Sequence, residues 1–132
     1  MSGKFIASDE AERDELEWGT LAWVSRPQTT GAKDLVAIEV SLLPGYGHDF
    51  HKHPHQEEVI YVIEGSVEQW LAGKKQMLNA GDSVFIPADF VHASFNVSSS
   101  PAKLFVTLGP CSGEEGYQLV DVSSEAPWNS LR

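Results

Sequence analysis

Basic residues are scarce in this chain, and their scarcity excludes several classes of partner. Nine Lys and Arg stand against nineteen Asp and Glu, which gives a formal net charge of -10 at pH 7. Proteins that bind nucleic acid neutralise phosphates with clusters of Lys and Arg, so we expect no nucleic-acid partner. An acidic protein is also repelled by anionic lipid, so we expect no membrane partner.

Cysteine and long apolar stretches are scarce as well. Cys111 is the only cysteine, so no disulfide can form within the chain. Nowhere do about 18 apolar residues run together, as a membrane-spanning helix would need. The amino terminus lacks the basic and then apolar order of an export signal. These features predict a protein of the reducing cytoplasm without a membrane span.

The chain has the size and composition of one folded domain. The 132 residues are 42% apolar and 21% charged and include thirteen aromatic side chains, which is typical of a globular protein. Residues 1–17 are rich in Asp and Glu, and we expect a frayed or partly helical acidic arm there. Residues 18–122 form the predicted domain, and residues 123–132 form a tail that we expect to be poorly ordered.

Strand periodicity dominates the predicted domain. Between Leu35 and Leu43, apolar residues alternate with polar or small ones, which is typical of a strand with one buried face. Val59 to Ile63 predicts another strand, and Glu64-Gly65 predicts a hairpin turn into residues 66–71. Further strands are predicted at residues 18–24, 83–86, 90–97 and 102–108, with an edge strand within 117–122. Short strands separated by regular turns predict an all-β sandwich or barrel.

Histidine is concentrated in one stretch. Gly45 to Glu58 contains four of the five histidines and three carboxylates within fourteen positions. Imidazole nitrogen and carboxylate oxygen together suit a divalent transition metal. In an extended segment, His51 and His53 point to the same face because they are two residues apart. The stretch therefore predicts a metal site, and the alternative is a cluster of satisfied polar residues without a metal.

Two spaced motifs extend this pattern. In the first, Gly45 is followed after five residues by His51, after one by His53, after four by Glu58 and after six by Gly65. In the second, which begins fifteen residues later, Gly81 is followed after five residues by Pro87, then after one by Asp89, after two by His92 and after three by Asn96. The two motifs resemble the paired signature of the cupin superfamily, and the resemblance covers roughly residues 35 to 108. Asp89 departs from the pattern, which usually has glycine there, and this puts the local turn geometry in doubt.

The resemblance implies a fold and a metal centre. The fold would be a double-stranded β-helix, or jelly-roll barrel, with the metal inside its mouth. The family's ligands map onto His51, His53, Glu58 and His92. The cofactor would be one divalent ion, with Fe, Mn, Ni, Co and Zn all compatible with these ligands. His55 competes as a ligand because it also forms an HxH pair with His53, but the spacing to Glu58 favours His51 and His53.

Three functions follow as hypotheses. The first is a metal-dependent oxygenase acting on a small organic substrate, the second a non-catalytic protein that binds or senses a small ligand, and the third a sugar-phosphate isomerase or epimerase. The third needs phosphate-binding cations, and only Lys52, Lys74 and Lys75 lie near the motifs. Candidates for proton transfer are the ionisable neighbours of the ligands: His48, His55, Glu57 and Asp89. We also expect a homodimer, formed by edge pairing of the apolar Trp18 to Val24 segment.

Overall fold

The protein is built from two antiparallel sheets. The computed structural model describes residues 3–132. The strands are β1 (Glu12–Leu16), β2 (Gly19–Ser25), β3 (Val36–Leu42), β4 (Gly47–Lys52), β5 (Glu57–Glu64), β6 (Ser66–Leu71), β7 (Lys74–Asn79), β8 (Ser83–Ile86), β9 (His92–Phe95), β10 (Ala102–Gly109) and β11 (Val120–Asp121). A short helix α1 spans Pro27–Thr30, and single 3-10 turns span Ser8–Glu10 and Trp128–Ser130. Over the described residues, no helix has the length and apolar character that crossing a bilayer would demand.

The sheets face each other across the larger of two apolar clusters. The six-stranded sheet has the order β1-β2-β3-β10-β5-β8, and the five-stranded sheet has the order β11-β4-β9-β6-β7. Along β3, Val36, Ile38, Val40 and Leu42 are buried while the residues between them are partly exposed, as the alternation predicted. Val67 of the second sheet is fully buried and joins the same cluster. The predicted all-β double-stranded β-helix is confirmed.

The predicted hairpin at Glu64-Gly65 is wrong. Strands β5 and β6 belong to different sheets, because β5 pairs with β10 and β8 while β6 pairs with β7 and β9. Only Gly65 separates them, and a two-residue loop is the shortest common hairpin connection. Gly65 has φ +79°, and a Cβ there would lie 2.8 Å from the Pro101 carbonyl oxygen. The chain therefore crosses from one sheet to the other at this glycine.

The acidic arm is a strand over part of its length. Residues 12–16 pair with β2 in continuous register from Glu12 opposite Trp23 to Leu16 opposite Gly19. All five side chains are exposed, so the charges are solvated as the composition suggests, but the expectation of a frayed or helical segment is wrong for these residues. Residues 1 and 2 lie outside the described part of the chain. Because β1 and β3 flank β2, the Trp18 to Val24 segment is no free edge, and the homodimer stays a prediction without that contact.

The carboxyl-terminal segment packs against the body of the protein. Trp128 and Leu131 contact a second apolar cluster, formed by Phe50, Trp70, Ala93 and Val122. The guanidinium of Arg132 lies 3.0 Å from the carboxylate of Glu68. The prediction of a poorly ordered tail is therefore wrong. The mostly polar composition of residues 123–132 favoured disorder, but contacts of Trp128, Leu131 and Arg132 hold the segment in place.

Candidate metal centre

The two sheets bring the four predicted ligands to one place. His51 of β4 lies directly opposite His92 of β9 in the five-stranded sheet. His53 follows β4 in the turn that contains Pro54, and Glu58 lies in β5 of the other sheet. We call these four side chains, His51, His53, Glu58 and His92, the ligand cluster. The cluster therefore spans the space between the sheets.

The three imidazoles of the cluster could hold a metal ion. Each offers one ring nitrogen, and these nitrogens all lie within 4.8 Å of one another. The side chains are almost completely buried, with exposed fractions of 4% for His51, 2% for His53 and 1% for His92. Three buried imidazoles with converging nitrogens match the donors that Zn, Fe, Ni and Cu accept.

Backbone carbonyls orient all three imidazoles in the same way. The Nδ1 atoms of His51, His53 and His92 lie 2.6, 2.7 and 3.0 Å from the carbonyl oxygens of Asp49, Gln118 and Phe90, respectively. A carbonyl oxygen can only accept a hydrogen bond, so each Nδ1 carries the proton and donates it. The lone pair of each neutral ring is then on Nε2, which is the arrangement that metal-binding histidines commonly show.

Three buried atoms of the cluster have no hydrogen-bond partner among the described residues. They are His53 Nε2, Glu58 Oε1 and His92 Nε2. Glu58 Oε1 lies 2.8 Å from His92 Nε2 and 3.4 Å from His53 Nε2. Neither the carboxylate oxygen nor an Nε2 lone pair carries a proton to donate, so these atoms would repel each other at this distance. Either an additional proton or a cation must therefore lie between them. The residues present therefore fit a divalent metal ion.

The cluster favours a charged carboxylate. Burial opposes the charge on Glu58, but the imidazoles of His92 and His53 outweigh it and lower the pKa of Glu58 to about 2. Burial likewise opposes a charge on His92, yet the Glu58 carboxylate raises the pKa of His92. Burial, reinforced by His48, lowers the pKa of His51 well below the ordinary value. His51 is therefore neutral near pH 7, as a ligand must be.

His48 adjoins the cluster through an aromatic stack. Its ring lies parallel to that of His51, with centroids 3.7 Å apart and planes inclined by 13°. The Trp18 ring covers the other face of His48 at 4.7 Å and 15°. Burial is the first cause that lowers the pKa of His48 to about 4. His48 therefore lines the site, whereas its sequence position had left it equivalent to His55.

The other predicted proton-transfer residues lie elsewhere. His55 and Glu57 are exposed, and neither lines the cavity around the cluster. Asp89 is exposed and forms an ion pair with Lys52, with 3.1 Å between Oδ1 and Nζ. Its φ of +69° shows that the left-handed turn is kept although glycine is absent. Its backbone N–H donates to the His53 carbonyl oxygen at 2.9 Å, so this turn ties the second motif to the first.

Two cavities meet at His48 and His51. The inner one has a volume of about 30 Å³, room for about one water molecule, and is walled by the ligand cluster's His51, Glu58 and His92 and by apolar side chains such as Leu21 and Ile60. The outer cleft has a volume of about 460 Å³ and opens beside Trp18 and Tyr46. His48 and His51 line both cavities, so a ligand in the outer cleft would lie next to the ligand cluster.

Sequence reasoning missed three residues near the site. Tyr117 lines the inner cavity, and its ring centroid lies 5.0 Å from that of His53. Burial, reinforced by Glu58, raises the pKa of Tyr117. Gln118 supplies the carbonyl that orients His53, and Gln56 is 1% exposed beside the first motif. None of the three is a fixed position of the spaced motifs, and the one signal in the sequence was a polar residue, Gln56, between the predicted ligands His53 and Glu58.

Comparison with known proteins yields a consistent set of relatives. The family described as Cupin domain matches residues 38–108. Polyketide synthase CurC of Streptomyces cyaneus is 31% identical over 127 residues, which are 96% of this chain and 81% of CurC. Quercetin 2,3-dioxygenase of Bacillus subtilis is 35% identical over 60 residues, 46% of this chain but 18% of that enzyme. The structure of KdgF from Halomonas sp. has the same fold, with a TM-score of 0.74 at 22% identity, covering 86% of this chain and 98% of KdgF.

Proposed function

The chain belongs to the cupin family, and on that premise we propose that it is a metal-dependent enzyme acting on a small, uncharged organic substrate. An oxygenase reaction is the first candidate. The observation that carries the proposal is the 2.8 Å approach of Glu58 Oε1 to His92 Nε2, while Nδ1 of His92 donates to a carbonyl oxygen. Such an approach is favourable when a proton or a metal ion lies between the two atoms, and the convergence of three imidazole nitrogens within 4.8 Å of one another favours the metal ion.

His51, His53, Glu58 and His92 would hold the ion through three imidazole nitrogens and one carboxylate oxygen. With neutral imidazoles and one negative charge, a divalent ion keeps a local charge near +1. A bound transition metal would supply Lewis-acid or redox chemistry at positions that these four residues leave open. The three carbonyl acceptors of the imidazole N–H groups would keep Nε2 directed at the ion. His48 is the candidate for moving a proton, because its ring stacks on that of a ligand.

The charges around the two cavities favour an uncharged substrate. Among the described residues that line them, none is Lys or Arg. The outer cleft instead carries the carboxylates of Glu17, Asp49 and Asp121. Carboxylate or phosphate groups of a substrate would meet like charge there, which disfavours the sugar-phosphate isomerase hypothesis. Trp18 and Tyr46 offer aromatic surface in the same cleft, which suits a planar organic molecule.

The relatives add limited support for this reaction class. The name of the Bacillus subtilis relative states a dioxygenase activity on quercetin, and 60 residues of this chain align with it. The more fully covered relative is described as a polyketide synthase protein. Both names are consistent with an organic substrate that carries no phosphate.

Metal content and oxygen consumption test the proposal together. Protein purified without an affinity tag is analysed for metals, reloaded anaerobically with Fe²⁺, Mn²⁺ or Ni²⁺, and mixed with quercetin or simpler uncharged phenols in an oxygen electrode. We expect substrate-dependent oxygen uptake that His51→Ala abolishes. His55→Ala, which alters an exposed histidine, should retain uptake, and its loss would return His55 to the site.

Two other outcomes would change the assignment. Tight binding of a phenol without turnover, with each metal and in air, would favour the non-catalytic binding protein. Equal metal content in wild-type protein and His92→Ala would remove the ligand cluster as the metal site.

A further inference from the structure

The three imidazoles of the ligand cluster all donate to backbone carbonyls, but two of these carbonyls are near in the sequence and one is distant. His51 and His92 each donate to the carbonyl two residues earlier in the chain, at Asp49 and Phe90. Such contacts form within one strand or turn and need no distant segment. His53 donates instead to the carbonyl of Gln118, which is 65 residues away. The orientation of His53 therefore depends on where the loop between β10 and β11 is held.

One buried side chain holds that loop at three points. The Nε2 atom of Gln56 donates to the carbonyl oxygens of Pro110 and Gly116, at 2.9 and 2.7 Å. Its Oε1 atom accepts from the backbone N–H of Gln118 at 3.2 Å. The Gln56 side chain is only 1% exposed, so water cannot replace these bonds. Gln118 accepts a hydrogen bond from His53 through its carbonyl and donates one to Gln56 through its N–H. Gln56 therefore fixes the residue that orients His53.

The chemistry of these contacts requires an amide of this length. A carboxylate has no proton to donate to two carbonyl oxygens, and an apolar side chain would remove the bond to each of the three backbone groups, although the Gly116 carbonyl oxygen would still accept from the Ser112 N–H. Asparagine carries the same groups but is one methylene shorter. Gln56 lies three residues after His53 and two before Glu58, inside the first motif but at a position whose residue type the ligand spacing leaves free.

We infer that Gln56 is a positioning residue for the metal ligand His53. It fixes the loop so that the Gln118 carbonyl keeps the proton of His53 on Nδ1 and directs Nε2 into the ligand cluster. The inference rests on the proposed metal site for its purpose, but the orientation of His53 can be measured without any metal.

A matched control exists in the same fold. Asn96 is also 1% exposed, and its Nδ2 donates to the carbonyl oxygens of Leu42 and Ser100 at 3.1 and 2.8 Å. Its Oδ1 accepts from the backbone N–H of Ser98 at 3.1 Å. Asn96 thus makes the same three kinds of bond as Gln56 and accepts a fourth from the Ser98 hydroxyl, but the imidazoles of the cluster donate to the carbonyls of other residues. Replacing either amide by an apolar side chain of similar size removes three bonds to backbone groups, and at Asn96 it also removes the bond from the Ser98 hydroxyl.

The experiment compares Gln56→Met with Asn96→Leu. Long-range ¹H–¹⁵N spectra of the metal-free proteins report which ring nitrogen of each histidine carries the proton. We expect His53 alone to leave the Nδ1–H form in Gln56→Met, with His51 and His92 unchanged. Titration followed by the visible absorption of Co²⁺ should show an affinity about 10- to 100-fold lower in Gln56→Met and within about twofold of wild type in Asn96→Leu.

Several results would overturn the inference. A wild-type His53 spectrum in Gln56→Met would do so, and so would equal changes at all three histidines or the same change in Asn96→Leu. If Gln56→Met does not fold, Gln56→Asn keeps the amide and should show a smaller change confined to His53, whereas an unchanged His53 would count against the role. Failure of the wild-type protein to bind Co²⁺ would refute the proposed metal site and leave the spectral test of Gln56 decisive.

Discussion

Glu58 and Glu68 are both buried carboxylates with lowered pKa values, but their surroundings differ. Burial raises the pKa of Glu68, and hydrogen bonds from Arg132 and Trp70 outweigh that effect. The Trp70 Nε1 donates to Glu68 at 3.0 Å, and the Arg132 guanidinium lies 3.0 Å from its second oxygen. Glu58 instead faces the Nε2 atoms of His53 and His92, whose Nδ1 atoms donate to backbone carbonyls. Glu68 therefore finds donors within the protein, whereas Glu58 Oε1 has no hydrogen-bond partner among the described residues, which supports the proposed metal site.

The lesson is that burial and a shifted pKa do not by themselves identify a functional carboxylate. Structural ion pairs perturb pKa values as functional sites do. What separates the two residues is whether each acceptor atom finds a donor within the protein. Substitutions at the two carboxylates and at their neighbours can test that separation.

Glu58→Gln should have the largest effect, and it should fall on metal binding. The amide keeps the shape of the side chain but loses the charge, so we expect the affinity for Co²⁺ or Zn²⁺ to fall by about 100-fold, or about 2.7 kcal/mol. The unfolding free energy of the metal-free protein should fall as well, because the lowered pKa of Glu58 means that the folded state favours its charged form. Calorimetric titration and urea unfolding with a chelator measure the two quantities. Unchanged affinity would place the metal elsewhere.

Glu68→Gln should lower the stability of the protein without lowering its metal affinity. We expect the unfolding free energy at neutral pH to fall by about 2 kcal/mol, since bonds to charged groups are lost in a buried setting. Metal affinity should stay within about twofold of wild type, because Trp70 and Arg132, which bind the Glu68 carboxylate, do not belong to the ligand cluster. A large loss of metal affinity in this variant would abolish the distinction between the two carboxylates.

The effect of Glu68 should also depend on pH in a defined direction. Its pKa in the folded protein lies below the ordinary value of 4.5, so the folded state binds this proton less readily than the unfolded state. Its stabilising contribution is therefore complete above pH 4.5 and is lost as the pH falls through the lowered pKa. The difference in unfolding free energy between wild type and Glu68→Gln should shrink over that acidic range. A difference that grows there would contradict the assignment.

Arg132→Ala should have a smaller effect of the same kind. The guanidinium is partly exposed, which weakens the ion pair, but it also covers the ring of Phe95 at 3.8 Å. We expect the unfolding free energy to fall by about 1 kcal/mol, with half or more of the loss persisting in high salt because packing on the ring is not screened. Thermal unfolding at two salt concentrations measures this. Complete loss of the effect in salt would reduce the contact to charge alone.

Asp89→Gly should have the smallest effect. Glycine would relieve a side chain held at φ +69° but would lose the ion pair with Lys52. The two contributions oppose each other, so we expect a change of less than about 1 kcal/mol in unfolding free energy. Metal affinity should be retained, because the backbone N–H that Asp89 donates to the His53 carbonyl oxygen is also present in glycine. A drop in affinity would make the Asp89 side chain part of the site.

Much of the fold follows from local pattern. The alternation along Val36–Leu42 predicted its buried face, because a strand presents successive side chains to opposite sides. The same pattern could not reveal that β5 and β6 enter different sheets, since strand pairing depends on neighbours far away in the chain. The docked carboxyl terminus was equally invisible, because its energy comes from a few contacts with Phe50 and Glu68.

The candidate site divides along the same line. The resemblance to the cupin motifs selected His51, His53, Glu58 and His92 as the expected ligands, and the chemistry of imidazole and carboxylate donors agrees with that choice. Only the tertiary structure separated His48 from His55 and Glu58 from Glu68. It alone also brought the Gln118 carbonyl to His53 and Gln56 to the loop that carries it. These distinctions depend on which atoms lack a partner inside the fold, and hydrogen-bond satisfaction is a property of three-dimensional contacts rather than of sequence intervals.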